Sequence, residues 1–341
     1  MYPWRVMHMA SLGRYIVRRL GQGVITLFIV TLIIFLLFKA EPGSPIDFLK
    51  AIPGIPTPVI QQVAEQFGLY EPFQVQMYKF IVNMFTFNFG ESIQGKPVLD
   101  IIHDALPRTL LLFGGAVVIE YIVGIYVGRY IAWRRGKAVE GGVIVTSLFF
   151  FNMPSFWIGL IFLFLFGFLW PIFPLRGFSD PSFVLKHYAF AGTDTSSLWF
   201  NVVDVGSHAI LPMLTLVLIS AAGTILLMQT SMLEVMGEDF ILTARAKGLS
   251  ERIVRKRHAA RNAYLPIATS IVIALGFVVG GAIILEQIFS YFGMGYWLLQ
   301  SITSQDRFLA GAILFLISLL VIAGNIVADV LYGVLDPRVR V

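Results

Sequence analysis

Five stretches of this chain are apolar over the length that crosses a bilayer, and this constrains the fold more than any motif. A bilayer core needs about 20 apolar residues per helix. The runs are Gly21 to Phe38, Leu110 to Gly128, Ala209 to Met228, Leu265 to Ile284 and Leu309 to Val327. A sixth region, Gly141 to Trp170, carries Pro154 near its middle. Halves of about 15 residues would each fall short of the bilayer, so one helix kinked at Asn152-Met-Pro-Ser is expected. With 57% hydrophobic and 13% charged residues, the chain belongs among integral membrane proteins.

Charge sets the expected orientation. With six spans, residues 1–20, the loops Arg129 to Glu140 and Leu233 to Ala263, and the C-terminal tail share one side. They hold 4, 4, 7 and 2 Lys and Arg residues, 17 of the chain's 25. The opposite side has more loop residues and only the remaining 8, so both termini are expected in the cytoplasm, with the chain multi-pass in a plasma or inner membrane. The expected division is a cytoplasmic segment over 1–20 and a single membrane domain over 21–341. Outer loops fall at about 39–108 and 171–207, and a cytoplasmic loop at about 233–263. Both outer segments carry enough aromatic and aliphatic residues to pack as structured caps, and Val59 to Gly68 is amphipathic. No cleavable signal is read, because the first run is span-length and Lys39, Glu41 and Pro42 follow it without a processing site.

Enzyme chemistry finds little support. The five histidines, His8, His103, His187, His208 and His258, show no ligand spacing, and H-E-x-x-H and G-x-S-x-G are missing. Cysteine is absent, and the net charge of +5 comes with no nucleic-acid signature. The phosphate cradle G-x-x-x-x-G-K-[ST] is also missing, so any ATP hydrolysis belongs to another polypeptide.

The polar insert Glu238 to Pro266, EDFILTARAKGLSERIVRKRHAARNAYLP, has internal order. A carboxylate pair, Glu238 and Asp239, precedes a helix-prone run, Phe240 to Lys247. Gly248 is the predicted C-cap with a left-handed backbone, and a second helical stretch leads to Pro266 at the mouth of the next span. A plain loop whose cations only set topology is the alternative. The order favours a helix-turn-helix on the membrane surface, offering one short helix to a partner.

Thr243-Ala-Arg-Ala-Lys-Gly-Leu-Ser250, with His258, Arg261-Asn262-Ala263 and Pro266, resembles the EAA loop of a known family: the inner-membrane permease subunits of the dipeptide/oligopeptide/nickel group of ABC importers. Further stretches agree. They are Glu286-Gln-Ile-Phe289 with Gly293-x-Gly295, Asp306, Asp329-Val-Leu-Tyr332, Asp336-Pro-Arg338, Arg18-Arg19, Pro42-Gly43 and Met153-Pro-Ser-Phe-Trp157. The likeness covers nearly the whole chain and is strongest from Ser231 onward. Two departures stand out: Phe292 replaces a proline the family commonly has before its Gly-x-Gly turn, and Met1 to Ala10 is a longer extension than usual.

The resemblance implies an all-α polytopic membrane protein with six transmembrane helices, the type I importer permease fold (MetI-like). It implies coupling to ATPase through Glu238, Asp239, Phe240, Ala244, Arg245, Lys247 and Gly248. Phe240, Ile241 and Ala244 would form the apolar docking face, and Arg245 and Lys247 would meet acidic groups. The implied partners are a second homologous permease, two ATP-binding cassette ATPases and an extracytoplasmic substrate-binding protein. No cofactor is expected in this chain, ATP and Mg being bound by partner subunits, and no nucleic acid. Di- and oligopeptides are the expected solutes, with oligosaccharides or nickel complexes as alternatives for the same machinery.

Glu120 falls mid-span and outside the family pattern. An ionised carboxylate is costly there, so it should face the bundle interior, protonated or paired, as a substrate-path residue or an interhelical contact. Asn152 and Asn325 are expected to join helices, Asp329 to be solvated, and Glu286 to cap local structure rather than meet a binding protein. A stand-alone ion-driven carrier is the rival, but it would need paired acids at midplane, and only Glu120 qualifies.

Overall fold

The computed structural model describes residues 12–41, 43, 46, 50, 57–277 and 283–335. Expectations placed on Met1 to Ala10, Pro42 and Asp336-Pro-Arg338 fall outside the described residues. The helices in chain order are α1 (Leu12–Ala40), α2 (Thr57–Phe67), α3 (Phe73–Phe85), α4 (Val98–Ala132), α5 (Ala138–Phe151), α6 (Ser155–Phe162), α7 (Pro181–His187) and α8 (Leu198–Met236). They continue as α9 (Asp239–Ala246), α10 (Glu251–Ile253), α11 (Ala260–Phe277), α12 (Ile283–Ile288), α13 (Met294–Thr303) and α14 (Arg307–Leu335). Wider π-type turns follow α6 over Leu163–Leu169 and α10 over Val254–Ala259. Among the described residues no strand forms beyond a single bridge between Glu91 and Pro97. A helix suits these apolar runs because it satisfies its own backbone polar groups where lipid cannot.

Among the described residues four helices are long and apolar enough to cross a membrane: Gly13–Ala40, Val98–Ala132, Leu198–Met236 and Arg307–Val330. The sixth expected region is not one kinked helix. It breaks at Asn152–Pro154 into two parts, Ala138–Phe151 and Ser155–Leu169, bent by 98°. Pro154 has no N–H to donate and biases Met153 away from helical geometry, so the first helix ends at Phe151. Asn152 closes that helix by donating to Leu148 O at 2.6 Å, which corrects its expected role as a link between helices. Counting the bent pair as one span gives five. The expected run Leu265 to Ile284 is helical as far as Phe277, and residues 278–282 lie outside the described set.

Two compact units emerge. The first comprises Met1–Ala105, Leu275–Gly280 and Trp297–Val341; the second comprises Leu106–Ala274 and Gly281–Tyr296. In the first, α1 runs along α14, with Gly23 so close that an added Cβ would sit 2.8 Å from Ile326. Arg19 Nε lies 3.2 Å from Asp329 Oδ2, so Asp329 is ion-paired rather than simply solvated. Between α1 and α4 the chain forms α2 and α3, and α3 packs against both α1 and α2. The Phe67 and Phe308 rings pack at a tilt of 42° with centroids 4.5 Å apart, and Lys39 Nζ donates to Gln76 Oε1 at 3.0 Å. Arg307 also pairs with Glu41 at 2.7 Å.

In the second unit α5 and α6 pack against α8. The helices α4 and α8 cross at two glycines, Gly124 and Gly128. A Cβ at Gly124 would lie 2.4 Å from Thr224 Cγ2, and one at Gly128 would lie 2.6 Å from the Ile225 carbonyl oxygen. Small residues four apart let membrane helices approach to backbone contact, where dispersion replaces the missing hydrophobic drive.

Candidate functional site

The loop between the span-length helix α8 and α11 forms the helix-turn-helix that the sequence suggested. Helix α9 spans Asp239–Ala246, with Glu238 at its N-cap position and Lys247 at its C-cap. Asp239 in the first turn and Arg245 in the last both suit the helix dipole. The Glu238 carboxylate makes no capping bond, and its charge suits the positive end of the helix dipole. Gly248 sits at φ +75°, the left-handed conformation predicted for it, with nothing within 4 Å of where a Cβ would be. Helix α10 and the π-type turn Val254–Ala259 then lead into α11, which contains Pro266.

Packing decides which side of α9 is free. Ile241 is 0% exposed and Ala244 is buried beside it, both in a cluster with Met228, Met232, Val254, Ala259 and Ala263. Burying an isoleucine fully contributes roughly 2–3 kcal/mol, enough to fix so short a helix on the protein. Ile241 and Ala244 therefore anchor α9 and are not available to a partner, which corrects the expected docking face. Phe240, 40% exposed, stays available, and Leu242, 57% exposed, joins it. The period of 3.6 contained this signal, since positions 241 and 244 share one face while 240, 243 and 247 share another. Arg245 Nε is held by Glu251 Oε1 at 2.8 Å, which rigidifies the turn, and Lys247 is exposed and makes no ion pair among the described residues.

The motif acids beyond the loop serve the backbone. Glu286 is fully buried on α12, and its carboxylate accepts from Thr109 Oγ1 at 2.7 Å and from the Tyr296 N–H at 2.9 Å. It thus caps the start of α13, as expected. Gly293 and Gly295 make room for it: a Cβ at Gly293 would fall 2.5 Å from Thr109 Oγ1 and 2.6 Å from Glu286 Cδ. Burial raises the Glu286 carboxyl above its ordinary range, against the pull of the Thr109 hydroxyl and of the Tyr296 and Gly295 N–H groups. Phe292, in the place where the family commonly has proline, adopts φ +54°, a conformation closed to a proline ring. Asp306 does the same work in the first unit. It accepts from Ser92 Oγ at 2.6 Å, the Ile93 N–H at 3.0 Å and the Leu309 N–H at 3.1 Å, capping α14.

Glu120 has a partner. Thr224 Oγ1 on α8 donates to Glu120 Oε1 at 2.7 Å, one turn from the Gly124 contact. Thr224, Thr109, Ser92 and Leu242 lie outside every motif of the sequence. The Gly124-x-x-x-Gly128 spacing was the available pointer to the first. Asn325 is exposed on α14 and joins no other helix among the described residues, a second correction. No group of three or more potential metal ligands occurs among the described residues.

Comparison with known proteins agrees with this architecture along its length. The family model for the binding-protein-dependent transport system inner membrane component matches residues 121–341, and that for the N-terminal part of such membrane components matches residues 12–113. The chain is similar to the oligopeptide transport system permease protein AppB of Bacillus subtilis, 32% identical, covering 96% of this chain and 100% of that one. It is also similar to the dipeptide transport system permease protein DppB of Escherichia coli, 33% identical over 96% of this chain and 98% of the relative. The di/tripeptide transport system permease protein DppB of Pseudomonas aeruginosa shows the same identity, 33%, and the same coverage.

Proposed function

This chain belongs to the family of binding-protein-dependent transport system inner membrane components, and from that premise we propose that it passes di- or oligopeptides across the membrane in an ATP-driven importer. The peptide assignment follows its relatives, which are peptide permeases matched almost end to end. The chain is a transport subunit, and ATP hydrolysis with its Mg belongs to separate ATPase subunits. A second homologous permease, two ATPases and an extracytoplasmic binding protein complete the proposed assembly. The proposed topology has six spans with both termini in the cytoplasm, residues 1–20 forming a cytoplasmic segment and 21–341 one permease domain. This chain needs no cofactor of its own in this reading.

The observation that carries the coupling role is the two-sided helix α9. Its inner face is locked into the protein by Ile241, and Phe240 and Leu242 are left outside. Movement of an ATPase groove holding the outer face then moves the α8–α11 loop as a rigid body. Glu238, Asp239, Phe240, Arg245, Lys247 and Gly248 keep their proposed coupling role, and Ala244 acts by anchoring the helix. Glu120 keeps its proposal as a substrate-path residue on the ground that intramembrane acids default to function. Its bond to Thr224 supports the interhelical account instead.

The test is reconstitution of the chain with the ATPases and binding protein from its own genome. Leu242→Glu should leave the chain in the membrane and abolish peptide-stimulated ATP hydrolysis. Uptake by this chain alone, without ATPase subunits, would sink the reading. Uptake of an oligosaccharide in place of peptides would keep the machinery and overturn the solute.

A further inference from the structure

On the loop-bearing side of the second unit, a cleft of about 390 Å3 opens between the end of α4 and the stretch after α9, lined by Arg129, Trp133, Arg252, Arg255 and Lys256. Tyr126 and Tyr130 complete its wall. Among the described residues none of the four cations makes an ion pair. Arg255 instead lies over the Trp133 ring at 4.5 Å, and Arg129 donates to Tyr264 Oη at 2.6 Å. Neither contact neutralises the charge, so the cleft holds four positive groups that await an anion.

The shape of the surroundings says which anion. Val118, Ile122, Tyr126 and Tyr130 recur every fourth residue of α4 and all are exposed, so one face of that helix runs from aliphatic residues into the tyrosines of the cleft. The apolar run of α4 ends at Gly128, one residue before Arg129, so the cleft end of the helix stands at headgroup depth. Tyrosine and tryptophan concentrate at that depth, and cations there attract anionic lipid. A soluble acidic partner would have no use for an apolar stripe continuous with the cleft, whereas a lipid needs both.

We propose that this cleft binds the phosphate headgroup of an anionic phospholipid, with an acyl chain along Val118 and Ile122. The site goes beyond the transport reading and holds whatever solute is carried. Because Arg252, Arg255 and Lys256 belong to the loop, the lipid ties the loop to the end of α4.

Native mass spectrometry of the full chain in mixed micelles with equal phosphatidylglycerol and phosphatidylcholine tests it. The unaltered protein should retain phosphatidylglycerol in preference. Lys256→Gln should weaken that retention about fivefold, the effect of removing one cation from an anionic headgroup. Arg257→Gln makes the same charge change one residue away, outside the cleft, and should retain lipid as the unaltered protein does. Both positions are exposed, so neither change threatens folding. Equal loss in the two variants, or no loss in Lys256→Gln, would overturn the site. Release of phosphatidylglycerol by millimolar inorganic phosphate would reassign it to a free anion, and release on binding the ATPase subunits would reassign it to a protein partner.

Discussion

Thr224 on α8 donates a hydrogen bond of 2.7 Å to Glu120 on α4, joining residues 104 apart in sequence at the helix crossing where Gly124 also touches Thr224. A glutamine retains an acceptor oxygen of the same reach, so Glu120→Gln should unfold at nearly the native temperature. Glu120→Ala and Thr224→Val should each destabilise by roughly 1 kcal/mol, and the double variant by no more than one of them, as a shared bond requires. Selective loss of cationic-peptide uptake in Glu120→Gln would instead place Glu120 on the substrate path.

Gly128 and Gly114 lie on the same helix and predict opposite results. An alanine methyl at 128 would lie 2.6 Å from the Ile225 carbonyl, which belongs to backbone and cannot step aside. Gly128→Ala should force α4 from α8 and lower the melting temperature by several degrees. At Gly114 nothing lies within 4 Å, so Gly114→Ala should be neutral or stabilising by up to about 1 kcal/mol. Thermal unfolding in detergent compares the two directly.

Gly248 tests coupling without touching the core. Since the space around it is open, Gly248→Val acts only through its φ of +75°, at a strain of roughly 1–2 kcal/mol. The variant should reach the membrane and lose substrate-stimulated ATP hydrolysis in the full complex. Gly248→Asn, which tolerates the left-handed region, should restore much of it. Full stimulation in the valine variant would remove this turn from the coupling path.

Asp306 gives a pH dependence of known sign. Burial raises its carboxyl above the ordinary range, against the pull of the Ser92 hydroxyl and nearby N–H groups. The folded protein therefore holds a proton that the unfolded chain has already released. That stabilisation is fully present below the ordinary carboxylate value, about 4, and is lost as pH climbs through the raised one. Subtracting the melting curve of Asp306→Asn, which cannot titrate, from that of the unaltered protein should reveal a contribution that falls with rising pH above about 4. A difference that rises with pH would reverse the assignment.

The absence of cysteine makes topology accessible. Ser196 and Ser250 are both exposed. Ser196→Cys should react with an impermeant maleimide from outside the cell, and Ser250→Cys only after the membrane is opened. Reaction of both from one side would overturn the six-span orientation.

The sequence by itself determined the class of the protein, the position of the long helices and the form of the loop. Apolar length, proline and glycine act on the backbone where they stand, so α9 and the left-handed Gly248 could be read without any neighbour. The tertiary structure alone decided which faces meet. It turned Ile241 and Ala244 inward and left Leu242 outside, gave Glu120 its Thr224, and placed Thr109 on Glu286 across 177 residues of chain. It also broke the helix at Pro154 by 98°, where proline alone signalled only a kink. The physical reason is that lipid is as apolar as a protein interior. Hydrophobicity therefore marks a membrane helix all round and cannot tell the side that packs on another helix from the side that meets the bilayer.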